Sequence, residues 1–194
     1  LPAVFAVHGN IDGAAVGAER QILLGRDLVY PRGMIALPNI DYVAMGHIHR
    51  HQALGDHPPI IYPGSIERID FGEEAEDKGC VVVDLSAKGA ARWQFHKLAA
   101  RPFVTIDVDV RGTEEPLQRV LLAIGRRSLS DAVVRVRIEA RPEQADALPT
   151  EEIRNALDEA GANMIAAVAV EIERTNRGRL AGADANLLDG LTPR

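Results

Sequence analysis

Three histidines follow short apolar segments, a placement that could build a metal site. His47 and His49 come after the apolar run at 42–45, which predicts a buried strand, and His8 comes directly after a second apolar run at 3–7. Residues two apart on an extended chain point to the same side. His47 and His49 could therefore ligate one metal ion together, or each could bind one ion of a pair. Neutral imidazole binds zinc, manganese or iron, so the histidines alone do not identify the metal.

The other histidines are weaker candidates for a metal site. His51 continues the alternation, but the aspartate and final histidine of the zinc-hydrolase pattern His-x-His-x-Asp-His are absent, so we interpret His51 as a residue behind the site or at the surface. His57 lies in a Gly/Asp/Pro-rich segment that predicts a solvated loop, and His96 lies in a predicted edge strand. None of the three is expected to bind metal.

The segment 62–77 combines a Pro-Gly turn with several charged residues. Ser65 and Arg68 are the residues in it that could touch a backbone phosphate. A run of acids follows, which we interpret as a solvated edge that would repel phosphate. Its members are Glu73, Glu74, Glu76 and Asp77. The chain has no phosphate-cradling loop ending in Gly-Lys-Ser/Thr.

Composition is that of an ordinary globular protein. The chain has 194 residues, 46% hydrophobic and 26% charged, with a net charge of −6, so no global basic field would attract nucleic acid. Cys80 is the only cysteine, which rules out an intrachain disulfide and a thiolate metal cluster and favours a reducing cytoplasm. No apolar stretch approaches the roughly 20 residues of a membrane span. Because Leu1 opens directly onto an apolar strand, we expect a fragment of a longer protein.

The pattern of elements predicts a mixed α/β chain in two parts. Residues 1–98 are strand-dominated, a composition shift at 98–102 marks a boundary, residues 101–174 read β-α-β-α-β, and 175–194 predict a loose tail. Strands are predicted at 42–45, 60–62, 79–85, 91–98, 104–110, 132–138 and 165–172. Helices are predicted within 12–24, at 116–124, and at 150–161 with Thr150 as its cap, and a turn is predicted at 30–33.

Five segments, in this order, give the chain a resemblance to a known family. They are His8-Gly9, Gly46-His47-Ile48-His49, Tyr62-Pro63-Gly64-Ser65-Ile66-Glu67-Arg68-Ile69-Asp70-Phe71-Gly72, Lys78-Gly79 and the stretch 101–108. With them the chain resembles the SbcD-type DNA repair exonuclease subunits, which are calcineurin-like metallophosphoesterases. The Gly-His-x-His motif marks the superfamily, and the Tyr-Pro-Gly-Ser segment with the appended α/β part points to the nuclease branch.

This resemblance implies a fold and a metal site. The fold would be the C-terminal part of a metallophosphoesterase β-sandwich flanked by helices, followed by a small α/β capping domain. Two divalent ions, typically manganese, would hydrolyse DNA phosphodiester bonds in a double-strand-break repair complex, with His8 and His47 on one ion and His49 on the other. The family's Asp-x-His, Gly-Asp and Gly-Asn-His-Asp motifs, which carry the bridging aspartate and the catalytic histidine, would lie upstream of Leu1. This chain alone is therefore expected to be inactive.

The resemblance also implies partners. The cap would position DNA over the metals, with Arg68, Arg111 or Arg135 as candidates for phosphate contact, and the family works with an SMC-like ATPase, SbcC, that binds a segment beyond the cap. A homodimer is also compatible with it, and no membrane is expected. Two alternatives stay open: a non-catalytic remnant that binds DNA or a partner, and a metallophosphoesterase acting on small phosphoesters.

Overall fold

The structure is a computed structural model, and it describes residues 1–17 and 28–173. The strands are β1 (Val4–His8), β2 (Asn10–Ile11), β3 (Val29–Tyr30), β4 (Tyr42–Gly46), β5 (Gln52–Asp56), β6 (Pro59–Tyr62), β7 (Gly79–Asp84), β8 (Arg92–Lys97), β9 (Phe103–Asp109), β10 (Val133–Ala140) and β11 (Met164–Ile172). The α-helices are α1 (Arg32–Ile35), α2 (Pro116–Gly125) and α3 (Thr150–Glu159). Short 3-10 helices span Phe71–Glu73 and Pro142–Ala147.

A four-stranded sheet in the order β1-β4-β6-β5 organises the first part of the described chain. β4 pairs in parallel with β1 on one side and β6 on the other, and β5 runs antiparallel to β6. The register of β1 and β4 places His8 opposite Gly46, so the carboxyl ends of these two strands lie side by side. Residues that follow the two strands are thereby brought to the same edge of the sheet.

The apolar core of this part is built around the central strand β4. Val43 and Met45 are buried, as predicted for an apolar run with a neighbour on each side. They pack in one cluster with Ile48 and Tyr62, which lie beyond β4 and in β6. β1 is an edge strand, and its Val4 is half exposed. Burial at β4 therefore fixes the segment that leads into His47.

The strands predicted at 79–85 and 91–98 are β7 and β8, and they form an antiparallel pair. Gly79 lies opposite Lys97 and Asp84 opposite Arg92. Gly79 is required at its position because a Cβ there would collide with the backbone oxygen of His96 and the ring of Phe95. The two strands are therefore packed closely at the open end of the hairpin, which adjoins the segment 62–77.

The second part of the chain is a parallel sheet with β10 between β9 and β11. Parallel neighbours need crossover connections, and α2 and α3 supply them. Alternate strand residues face the helices in a single buried cluster. Its members include Ile106, Val108, Val134, Val136 and Ile138 from the strands with Val120, Ile124, Ile153 and Leu157 from the helices. The predicted β-α-β-α-β order is confirmed, and with it the mixed α/β class.

Several sequence expectations differ from the structure. Residues 12–17 contain no helix, and the rest of the helix predicted within 12–24 lies outside the described residues, as does the predicted tail at 175–194. The turn predicted at 30–33 is a strand end followed by α1. Thr150 is the first residue of α3, and its cap is Pro149, whose ring can neither donate nor accept a hydrogen bond. Of the helices in the described ranges, none is both long and apolar enough to span a membrane.

Candidate metal centre

The imidazoles of His8 and His47 meet where β1 and β4 end. Their ring centroids lie 5.2 Å apart, with the ring planes inclined at 70°. Gly46 makes this possible, because a Cβ at Gly46 would lie only 2.9 Å from Nδ1 of His8. The backbone N–H of Gly9 also donates to the carbonyl of Gly46, at 3.2 Å. The two strand ends are therefore tied together directly beside the two rings.

His47 has a backbone conformation that is rare for a residue with a side chain. Its φ is +102°, in the left-handed region that favours glycine. Such strain costs about 1–3 kcal/mol and is concentrated at functional sites. The strand has already ended at Gly46, so the alternation expected for 47, 49 and 51 does not extend from β4. The histidine pair lies in a bend, and the prediction that the two side chains share one side of an extended strand is wrong.

Tyr62 holds the bend that follows His8. Its side chain is fully buried, and its hydroxyl donates to the carbonyl of Gly9 at 2.7 Å. Burial raises the pKa of Tyr62 to about 12, with a hydrogen bond from the backbone of Ile11 acting in the opposite direction. The phenol therefore remains a hydrogen-bond donor over the whole neutral range. Strand β6 thereby supports the position of His8.

His49 is held by a different set of groups. Its Nδ1 lies 2.8 Å from Oε1 of Glu73, and the other carboxylate oxygen of Glu73 lies 2.8 Å from Nζ of Lys78. Burial, the largest single effect, raises the pKa of Glu73, but hydrogen bonds from Lys78, His49 and the backbone of Ile69 together outweigh it and hold the pKa below its ordinary value. Glu73 is therefore an ionised carboxylate beneath His49.

This arrangement corrects the interpretation of the acidic run as a solvated edge. Glu73 is 1% exposed, Glu74 accepts hydrogen bonds from the backbone and hydroxyl of Thr105, and Glu76 lies 3.0 Å from the Lys78 ammonium. Asp77 is the member of the run that is exposed. Sequence reasoning missed Glu73 because a run of four acids is usually solvated, and nothing in the local pattern marks the one that turns inward.

The loop after β6 positions Ser65 and Arg68 against the backbone. Gly64 has φ +82° and sits where a Cβ would lie 2.7 Å from the carbonyl of His49, while the backbone N–H of Ser65 donates to that same carbonyl at 3.0 Å. The Ser65 hydroxyl donates to the carbonyl of Glu67. The Arg68 guanidinium donates to the carbonyls of Glu73, Glu76, Ala100 and Arg101. Both side chains thus have backbone partners, and a phosphate contact by either of them stays a prediction.

The remaining arginine candidates also have close partners. Arg111 bonds Asp109 and Glu139, each at 2.7 Å, and its side-chain and backbone hydrogen bonds lower the pKa of Asp109 to about 2. Arg135 lies over the ring of Phe71, 4.3 Å from its centroid, and donates to the hydroxyl of Thr105. Both arginines lie on or beside the sheet of the second part of the chain.

His51 lies behind the bend. Its Nδ1 donates to the carbonyl of Tyr62 at 2.8 Å, and its ring stacks on Phe95 with centroids 4.1 Å apart. Arg50, His51 and Phe95 line a cavity of about 490 Å³ together with Glu76 and Asp77. The interpretation of His51 as a residue behind the site agrees with these contacts, which use Nδ1 for a structural bond.

The described histidines fit part of a metal centre. Imidazole chemistry suits manganese or zinc, and the rings of His8 and His47 lie next to each other at the strand ends. His49 carries the carboxylate partner that ligating histidines usually have on their second ring nitrogen. Within residues 1–17 and 28–173, however, no group of three or more His, Cys, Asp or Glu side chains is placed to hold an ion. The three histidines would thus supply some of the ligands of a metal centre, and the described residues do not form a complete set.

Comparison with known proteins relates the chain to nucleases and phosphoesterases. It is 33% identical over 133 residues to the SbcD subunit of the SbcCD nuclease from Rhodobacter capsulatus, covering 68% of this chain and 31% of that protein. It is 32% identical over 92 residues to the uncharacterized metallophosphoesterase YhaO of Bacillus subtilis, covering 47% of this chain and 20% of that protein. No protein-family model matches the chain. The resemblance drawn from the sequence is confirmed as a distant similarity, and the matches span a third or less of these relatives.

Proposed function

We propose that this chain belongs to the SbcD-type branch of the calcineurin-like metallophosphoesterases and forms part of a metal-dependent DNA nuclease. The observation that carries the proposal is the meeting of His8 and His47 at adjacent strand ends. It occurs in a chain whose curated relatives include an SbcCD nuclease subunit and a metallophosphoesterase. Imidazole is a suitable ligand for manganese or zinc, so this pair supports a role in a metal-dependent enzyme.

In this proposal the three histidines have distinct roles. His8 and His47 bind one manganese ion and His49 binds the second. The ions, when bound, lower the pKa of a water molecule and stabilise charge on the phosphodiester during hydrolysis. Further ligands, including a bridging carboxylate and a catalytic histidine, come from outside the described residues. This chain's contribution is to fix the three imidazoles.

The two apolar clusters support a proposal that the two parts of the chain have different roles. Residues 1–98 would be the C-terminal part of the β-sandwich nuclease domain, and residues 101–174 the capping domain that positions DNA. Each part has its own buried cluster. Ser65 would contact a phosphate by exchanging its present carbonyl partner, whereas the Arg68 guanidinium has five N–H donors and gives four of its hydrogen bonds to carbonyls.

The partner is proposed from the name of the relative. The Rhodobacter protein is named as one component of the SbcCD nuclease. We extend this to the present chain as assembly with an SMC-like ATPase of the SbcC type, through a segment beyond the cap. DNA is the proposed substrate.

The test uses the polypeptide encoded by the complete reading frame that contains these residues. Linear duplex DNA should be degraded in the presence of Mn²⁺, and His49→Ala should lower the rate by at least a hundredfold while circular dichroism stays unchanged. His57→Ala is the matched control, because His57 lies on an exposed loop away from the three candidate ligands. Undiminished degradation by the His49→Ala variant would overturn the ligand assignment.

Two further substrates separate the alternatives. Faster hydrolysis of bis-p-nitrophenyl phosphate or a nucleotide than of DNA would favour a phosphoesterase of small substrates. DNA binding without any hydrolysis, at every divalent metal tried, would favour the non-catalytic module. The observation that favours the non-catalytic module is the incomplete ligand set within the described residues.

A further inference from the structure

A fully buried ion pair lies beneath His49 and has no assigned role. Glu73 and Lys78 are each 1% exposed, and the carboxylate and ammonium lie 2.8 Å apart. Lysine and glutamate are rarely buried to this degree, because removing both charges from water costs more than their attraction usually returns. Replacement by apolar residues would be the less costly way to fill the same volume. The groups that the ion pair contacts therefore indicate its role.

The ion pair touches His49 at two different atoms. Oε1 of Glu73 lies 2.8 Å from Nδ1 of the ring, and Nζ of Lys78 donates to the backbone carbonyl of His49 at 3.1 Å. The second oxygen of Glu73 lies 2.8 Å from Lys78 and accepts from the backbone N–H of Ile69 at 3.3 Å. The ring and the main chain of His49 are thus both held by the Glu73–Lys78 ion pair.

The contact between Glu73 and His49 determines which ring nitrogen carries the proton. A carboxylate paired with an ammonium is only an acceptor, so the nitrogen facing it must be the N–H. In a neutral imidazole the proton is then on Nδ1, and the lone pair is on Nε2. A metal ion binds the lone-pair nitrogen, and outer carboxylates of this kind set the tautomer and direction of ligating histidines.

We propose that Glu73 and Lys78 are positioning residues that hold His49 as its Nδ1–H tautomer, with Nε2 as the metal-binding nitrogen. Glu73 fixes the ring, and Lys78 fixes both Glu73 and the main chain at His49. The metal-binding half of this inference rests on the proposed function. The tautomer half rests on the contacts alone.

The first test needs no metal, and it uses one variant only to assign the spectrum. Long-range ¹H–¹⁵N correlation spectra of the ¹⁵N-histidine-labelled chain at neutral pH report the tautomer of each ring. We expect His49, assigned by its loss in His49→Gln, to show a protonated Nδ1 and an unprotonated Nε2. A protonated Nε2, or the fast averaging of an unrestrained ring, would overturn the inference whatever the chain binds.

The second test separates positioning from mere stability. Glu73→Gln should shift His49 toward a mixture of tautomers and weaken Mn²⁺ binding about 10–100-fold. Glu74→Gln is the matched control, since Glu74 is the neighbouring acid but bonds Thr105 and not His49. It should leave the His49 spectrum unchanged. If Glu73→Gln lowers the melting temperature yet leaves tautomer and Mn²⁺ affinity as in the wild type, the pair is structural and the inference fails.

The same data distinguish this inference from the proposed function. In one outcome, His49 shows the predicted tautomer, Glu73→Gln loses it, and no form of the complete polypeptide binds Mn²⁺. This outcome would support the positioning of His49 and contradict the metal centre. Mn²⁺ binding that depends on His49 but not on Glu73 would support the metal centre and contradict the positioning role.

Discussion

At the scale of single residues, the backbone conformation of His47 is unfavourable for any residue with a side chain. A left-handed φ costs an L-residue roughly 1–2 kcal/mol, and glycine avoids most of that cost. With φ at +102°, His47 sits where a chain selected for stability alone would place glycine. The residue with this backbone conformation is also the one whose imidazole lies next to the ring of His8.

This strain gives a prediction for two substitutions at the same position. His47→Gly should be more stable than His47→Ala by about 1 kcal/mol, because both lose the imidazole and a positive φ strains alanine but not glycine. Urea unfolding curves of the two variants measure the difference. If His47→Ala proves equally stable or more stable, the backbone at this position is not strained in solution.

Gly46 offers a second prediction at this scale. Gly46→Ala places a methyl group 2.9 Å from Nδ1 of His8, so the His8 ring must move from its present position beside His47. Overpacking of this kind costs about 1–3 kcal/mol. The imidazole resonances of His8 and His47 should both shift. Gly125→Ala, which adds a methyl group to open space, is the control and should leave them in place.

At the scale of elements, strand β6 supports the site through one buried hydroxyl. Tyr62 donates to the carbonyl of Gly9 and so ties the third strand of the sheet to the bend after β1. Tyr62→Phe removes this bond and should cost about 1 kcal/mol of unfolding free energy. The packing of the ring should survive, since phenylalanine keeps the buried surface.

The raised pKa of Tyr62 adds a pH dependence with a definite sign. Below pH 10 the phenol is protonated in folded and unfolded chains alike, and the stabilisation is fully present. Between the ordinary value of 10.0 and about 12 the unfolded chain releases the proton while the folded chain keeps it, so the free energy of unfolding falls. Urea titrations at pH 9 and pH 11.5 should show this fall in the wild type and a smaller one in Tyr62→Phe.

Elements were the most predictable level of this structure. The alternation at 104–110 and the helical pattern at 116–124 correspond to β9 and α2, because each pattern has one buried face. The sequence does not predict strand β5, since its residues from Gln52 onward show no apolar alternation. The contact of His8 with His47 follows from strand pairing that the sequence only implies. The pair Glu73–Lys78 depends on a loop folding back under His49, and no local pattern signals it.

At the scale of the whole molecule, the loop 67–76 joins the two parts of the described chain. Arg68 bonds carbonyls on both sides, Glu74 accepts from Thr105 at the start of the second sheet, and Phe71 packs edge-on against Phe103 with centroids 4.9 Å apart. Glu73 lies in the same loop. The segment that orients His49 is therefore also the segment that contacts the proposed cap.

The central claim is that His8, His47 and His49 are metal ligands, and paramagnetic broadening by Mn²⁺ tests it most directly. Substoichiometric Mn²⁺ added to the ¹⁵N-labelled chain should broaden the resonances of these three residues first, even at the weak affinity expected of an incomplete ligand set. Broadening should weaken in His47→Ala. A cavity on the second sheet is lined by Asp107, Asp109, Glu139 and Glu171. If the residues of this cavity broaden first and the histidines stay sharp, the metal centre, and with it the proposed nuclease site, is contradicted.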